Sequence, residues 1–242
     1  MAIILGLDPS IKKAGYCLLD SDAPYDSFIE RGRLKTSGMD GILVQKLILQ
    51  ADRIKALIVD NKVDMVSMEA PYFGGNESEK LFALNQFLHR TFLETGSYVI
   101  VFPPQQMKVL TVLGRKADEI HKPQMVAEVK RRYHLQGKIV PDDEADAMQA
   151  GHLGKLFYNW HFAKKLADKD LPPRILDAYA GKHVYVRGAK NGTADYYGLI
   201  YRENELFFDF KRIAERKEEY GNREEGTSEN RSSEESSSEE GS

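Results

Sequence analysis

Four acidic residues of this 242-residue chain stand where they could do chemistry together: Asp8, Glu69, Asp143 and Asp146. Asp8 closes an apolar run of strand length from Ala2, and Glu69 closes a second run that begins at Met65. Two carboxylates at strand ends can converge at one edge of a sheet, where sites commonly form. Asp143 and Asp146 are three residues apart after Pro141, a spacing that places both on one face of a helix. Gathered carboxylates repel one another unless hard cations neutralise them. Oxygen ligands with no His or Cys cluster favour Mg²⁺, with Mn²⁺ as a substitute. A pair of such ions about 3.5 to 4 Å apart activates water and stabilises the leaving oxygen of a phosphodiester, so the matching chemistry is hydrolysis of a nucleic-acid strand. The competing reading is local. An Asp at a strand end is commonly a turn residue, and Asp142 before Asp143 is the preferred helix cap. Glu69 resists that reading, because a carboxylate seldom ends a buried strand without a partner. By spacing alone the two readings stand level.

The elements that must position these residues follow from periodicity. Ala2–Asp8, a turn at Pro9 and Ser10, and Gly15–Leu19 read as a hairpin, and a third strand is expected around Phe28–Leu34. Leu43, Leu47, Ile54, Leu57 and Ile58 recur at helical spacing before the strand that ends on Glu69. A helix from about Glu77 to Glu94 leads through Gly96 into the strand Tyr98–Phe102. Helices are then expected from Pro104 to about Leu113, from Pro123 to Tyr133, and from Asp142 or Asp143 to about Trp160. Three antiparallel strands followed by helical crossovers make an α/β fold with a mixed five-stranded sheet and helices on both faces. After Asp170 the texture changes to short aromatic runs at Val184–Arg187, Tyr196–Tyr201 and Leu206–Phe210. The expected organisation is a nuclease domain over 1–162, a small β-rich appendage over 171–213 and a disordered acidic tail over 214–242.

Charge divides along the chain. From Glu224 to Ser242 there are seven Glu and seven Ser against one Arg, while the remainder carries 33 basic against 30 acidic residues. Such a tail buries too little apolar surface to fold. The stretch Gln105–His134 holds Lys108, Arg115, Lys116, Lys122, Lys130, Arg131 and Arg132 against three acids, a local net of +4. A basic stretch of this kind suits phosphate contacts, with Arg115 and Lys116 in a loop after Gly114; for Lys130, Arg131 and Arg132 alone a solvated helix face suffices. Tyr72 and Phe73 precede Gly74 and Gly75, and are read either as a core anchor or as rings that stack on a base. His152 is assigned to a helix surface or to packing rather than catalysis, and Cys17, the single cysteine, to the core. No uncharged apolar run is long enough to cross a bilayer and the amino terminus has no basic leader, so a soluble, cytoplasmic protein is expected.

The run Gly6, Leu7, Asp8, Pro9, Ser10 with Gly15 and Tyr16, then Met68 and Glu69, then Asp143, Glu144, Ala145, Asp146 and Ala147, resembles the RuvC family of Holliday-junction resolvases, over about Ala2 to Phe157. Gln106, Met107, Lys108, Gly114, and Lys122, Pro123, Gln124, Met125 resemble the family's basic segment. The resemblance, to a phage-type variant with a C-terminal extension, implies an RNase H-like fold, a homodimer, two Mg²⁺ per active site and paired nicks in a four-way DNA junction. It implies that Asp8, Glu69, Asp143 and Asp146 ligate metal, that Lys108 and Lys122 assist at the scissile phosphate or hold DNA, and that Tyr72 and Phe73 stack at the junction centre. Ser10 stands where the family usually has Gly. Two alternatives stay open: a related nuclease acting on flaps or RNA–DNA hybrids, and a non-catalytic branched-DNA-binding protein.

Overall fold

The computed structural model describes residues 1–36, 41–70, 78–179, 199–202 and 205–206. Packing divides the chain into two compact units, Met1–Glu205 and Leu206–Ser242. In the first unit the chain forms β1 (Ile3–Asp8), β2 (Lys13–Asp20), β3 (Glu30–Lys35), α1 (Leu43–Asp60), β4 (Val63–Glu69), α2 (Ser78–Thr95) and β5 (Tyr98–Phe102). Then come α3 (Pro104–Thr111), α4 (Lys122–Arg132), α5 (Asp142–His161), α6 (Pro173–Tyr179) and β6 (Leu199–Arg202), and a two-residue strand, β7, lies at Glu205–Leu206.

The sheet order is β3-β2-β1-β4-β5-β6. The first three strands pair antiparallel, and β4 and β5 add parallel to β1 through the crossover helices α1 and α2. This is the expected mixed five-stranded sheet, with β6 as a further antiparallel strand on β5. β1 lies between neighbours and reads as continuously apolar because both of its faces are covered. β3, at the edge, alternates Arg31, Arg33 and Lys35 instead, a charged edge that resists pairing with other chains. In α1 the buried residues Leu47, Gln50, Ala51, Ile54 and Ile58 form one helical stripe.

α5 lies across β1, β2 and β4, and three glycines let it come close. A Cβ on Gly6 would stand 2.1 Å from the Ala147 carbonyl oxygen, and one on Gly154 would stand 2.4 Å from the Ser67 Cβ. Gly151 in turn sits with its own Cβ position 3.2 Å from the Gly6 Cα. Ser67 Oγ donates to the Ala150 carbonyl at 2.6 Å, tying β4 to the same helix. Side chains alternate along a strand, so Gly6 and Ser67 define the sheet face under α5, and Asp8 and Glu69, two residues further on, share that face. Leu5 and Leu7 point the other way and are fully buried.

Past residue 170 the first element is helical. α6 buries Ile175, Ala178 and Tyr179, and Tyr179 packs edge-on against Phe157 at 5.1 Å and donates its hydroxyl to the Leu153 carbonyl at 2.6 Å. The expected run Val184–Arg187 lies outside the described residues; from Tyr196–Tyr201 comes β6.

Candidate active site

Register brings the carboxylates to one edge of the sheet. Leu7 pairs with Met68, so Asp8 and Glu69 leave their strands side by side. Asp8 lies opposite Gly15 on β2, and a Cβ on Gly15 would fall 1.9 Å from the Asp143 carbonyl oxygen. The missing side chain at Gly15 therefore seats the first turn of α5 beside Asp8. Asp146, one turn along, projects from the same end of the helix. All four predicted acids are thus held at the carboxyl ends of β1 and β4 by rigid elements.

Their electrostatics show that they act on one another. Burial, then Glu69 and Asp146, push the Asp8 carboxyl well above the usual range. Burial, then Asp146, raises Glu69 to about 7, with Lys122 and Lys108 pulling the other way. Burial raises Asp146 to about 6, again opposed by Lys122 and Lys108. A half-buried group of mutually repelling carboxylates favours whatever supplies positive charge. Lys108, on α3, and Lys122, which opens α4, supply part of it. Both were expected at the site, and both electrostatically oppose its acids.

As donors the four acids fit a hard divalent cation, being oxygen ligands whose charge is not fully offset. Among the described residues no three His, Cys, Asp or Glu side chains are gathered tightly enough to ligate one ion.

Asp142 does not cap α5. The cap position is Pro141, and Asp142 is already in the first turn, exposed, where its carboxylate accepts from the Lys122 ammonium at 2.6 Å. That hydrogen bond holds the Asp142 carboxyl below its usual range and raises Lys122. The Lys122 ammonium, 20 residues earlier in the chain, is the leading partner of this carboxylate because a charge-assisted bond is the stronger one, and the amides of the first turn add to it.

The sequence did not reveal Arg31, Arg33 and Glu144. Arg31 and Glu144 form an ion pair with side chains only 18% and 12% exposed, and Arg33 Nε reaches Glu144 at 3.4 Å and its Nη1 reaches Asp143 at 3.8 Å. The signal available was the alternation Arg31, Gly32, Arg33, which puts two cations on one strand face. Arg132 also departs from expectation: it is largely buried, pairs with Glu128 at 3.3 Å and donates to the Gln149 side chain, so it does not belong to a solvated face. Arg115 and Lys116 are exposed after Gly114, and the Arg115 carbonyl accepts from Arg174 of α6 at 3.0 Å. Ser10 Oγ accepts from the Lys13 amide at 3.4 Å across the turn. His152 is buried and packs edge-on to Tyr25 at 6.2 Å. Tyr72 and Phe73 lie outside the described residues.

The sequence matches the family model described as crossover junction endodeoxyribonuclease RuvC over residues 4–151. The chain belongs to the RuvC family. The RuvC of Sulfurovum sp. is 30% identical over 148 residues, 60% of this chain and 89% of its own length. That of Aliarcobacter butzleri is 27% identical over 149 residues, covering 92% of its own length. Among solved structures, a Thermus thermophilus RuvC in complex with a Holliday junction substrate superposes with a TM-score of 0.55 at 16% identity, over 66% of this chain and 97% of that one. At that identity the likeness shows the shared RNase H-like fold. RuvC-family enzymes are metal-dependent nucleases. No helix among the described residues is long and apolar enough to cross a membrane.

Proposed function

We propose that this RuvC-family chain is a crossover-junction endonuclease that cuts four-way and related branched DNA by hydrolysis, with two Mg²⁺ held by Asp8, Glu69, Asp143 and Asp146. The observation that carries the reading is the set of acids at the ends of β1 and β4 and the start of α5, where Glu69, Asp146 and Asp143 raise the proton affinity of Asp8 and Asp146 raises that of Glu69. Divalent cations bound there would supply Lewis acidity and an activated water. The chain's own residues do the rest. The β1, β4 and α5 backbones fix the carboxylates, Lys108 offsets charge at the scissile phosphate, and Lys122, held by Asp142, adds positive charge on the α4 side. Exposed Arg115 and Lys116 hold the DNA backbone, and Tyr72 and Phe73 stack at the junction centre. The enzyme acts in the cytoplasm as a homodimer, placing two such sites on opposed strands, and the catalytic part lies within 1–162.

The test is cleavage of a synthetic four-way junction in Mg²⁺ with both cut positions mapped, beside a flap and an RNA–DNA hybrid. Symmetric nicks in the junction are the expected result; preferential cutting of the flap or the hybrid would replace the substrate assignment. Asp8→Asn or Asp146→Asn is expected to lower the cutting rate at least 100-fold while junction binding stays within threefold of the parent, and near-parental cutting by either variant would remove these residues from the chemistry.

A further inference from the structure

The same sheet edge carries basic residues that the site has not used. β1 and β4 deliver Asp8 and Glu69 to it. β2 begins there with Lys13, and β3 ends there with Lys35. Lys13 and Lys35 are register partners, directly opposite each other across the antiparallel pair. Asp8, Gly15 and Arg33 form one register row, and Lys13 and Lys35 lie two residues further out on their strands. Side chains two apart share a face, so both lysines stand on the face that carries Asp8, just beyond the start of α5. Two residues of strand rise put them roughly 7 Å past the Asp8 row.

Directly opposed like charges destabilise a strand pair. The two rows nonetheless differ in how their cations are satisfied. Arg33 is engaged by Glu144 and Asp143, whereas Lys13 and Lys35 are exposed and make no ion pair among the described residues. The backbone that presents them is firmly pinned. The Thr36 amide donates to the Lys12 carbonyl at 3.0 Å, the buried Thr36 hydroxyl donates to the Ile11 carbonyl, and the Arg53 guanidinium donates to the Lys35 carbonyl. Among the described residues the lysine pair is therefore a fixed, uncompensated positive seat next to the acids, on the side away from Lys108 and β5.

We propose that Lys13 and Lys35 form a phosphate seat for the DNA strand being cut, one or two phosphates along from the scissile one. The strand then crosses the sheet edge from the Lys108 side, over the carboxylates, onto β2 and β3. This deepens the junction-endonuclease reading and rests on it.

The test uses the full-length chain, a four-way junction and the double variant Lys13→Ala/Lys35→Ala. With Ca²⁺ in place of Mg²⁺, junction affinity at about 0.1 M salt is expected to fall on the order of tenfold, with the slope of log K against log salt shallower by about 2. The cutting rate at saturating junction in Mg²⁺ stays within threefold of the parent, and the melting temperature is unchanged or higher, because a like-charge pair has been removed. Lys13→Arg/Lys35→Arg restores affinity. Neutral methylphosphonate linkages one or two positions from the cut weaken parental binding and leave the Ala double variant indifferent. Parental affinity and salt slope in the double variant, or equal methylphosphonate penalties in both proteins, would overturn the seat. If the parent itself neither binds nor cuts the junction, the underlying functional reading fails instead.

Discussion

Asp8, Glu69 and Asp146 are acids whose protonation is favoured by burial and by neighbouring carboxylates. Two histidines outside this group, buried His152 and half-buried His89, show the opposite linkage. Burial drives His152 well below its ordinary value, helped by Arg132 and Lys155, and burial lowers His89 to about 4. The unfolded chain takes up protons on both below about pH 6.5, while the folded chain does not. Their contribution to stability is therefore present above that pH and lost as pH falls from about 6.5 towards 4. His152→Phe, if it packs against Tyr25, is expected to flatten the stability profile in that window, read from urea midpoints at pH 4.5, 5.5 and 7. An unchanged acid slope would show that His152 takes up its proton within the folded protein.

At the level of elements, the site depends on how closely α5 approaches β1 and β2. Gly15→Ala places a methyl group against the Asp143 carbonyl, which is backbone and cannot rotate aside. The helix start must shift. Overpacking of this kind is expected to destabilise by about 1 to 3 kcal/mol, and cutting should fall by at least tenfold even where the protein remains fully folded. Urea titration with single-turnover kinetics separates the two, and full activity would mean the first turn of α5 tolerates displacement. The Arg31–Glu144–Arg33 clasp holds that turn from the other side. Glu144→Gln leaves the largely shielded Arg31 guanidinium without its carboxylate, and Arg33 with Asp143 alone, and is expected to cost on the order of 2 kcal/mol, measured by the same titration.

For the molecule as a whole, the structural core is longer than the family match. That match ends at residue 151, yet α6 buries Ile175 and Tyr179, and β6 pairs with β5. Tyr179 also stacks on Trp160 at 5.7 Å and lies near Phe102 at 6.4 Å. Tyr179→Ala removes a fully buried ring from this cluster and is expected to cost about 3 to 5 kcal/mol. Thermal melts should show a chain ended at 170 to be less stable than the full chain by at least as much. Equal melting temperatures would mean that α6 only rests on the core.

Much of this was legible locally. The strand Tyr98–Phe102 has the bounds its apolar run predicts, α1 contains the helically spaced residues Leu43 to Ile58, and Asp8 and Glu69 close strands as their positions imply. Periods of 2 and 3.6 are properties of neighbouring residues, so sequence alone determines them. The ordering of carboxylates along the chain is equally explicit. Whether they meet was a different question, because it depends on a register, on a helix seated over Gly15, and on an Arg31–Glu144 pair separated by 113 residues. The pairing of Lys122 with Asp142 across 20 residues, and the addition of α6 and β6 to the core, are of the same kind. Such contacts leave no periodic trace, since packing and charge pairing act through space, and so only the tertiary structure decided them.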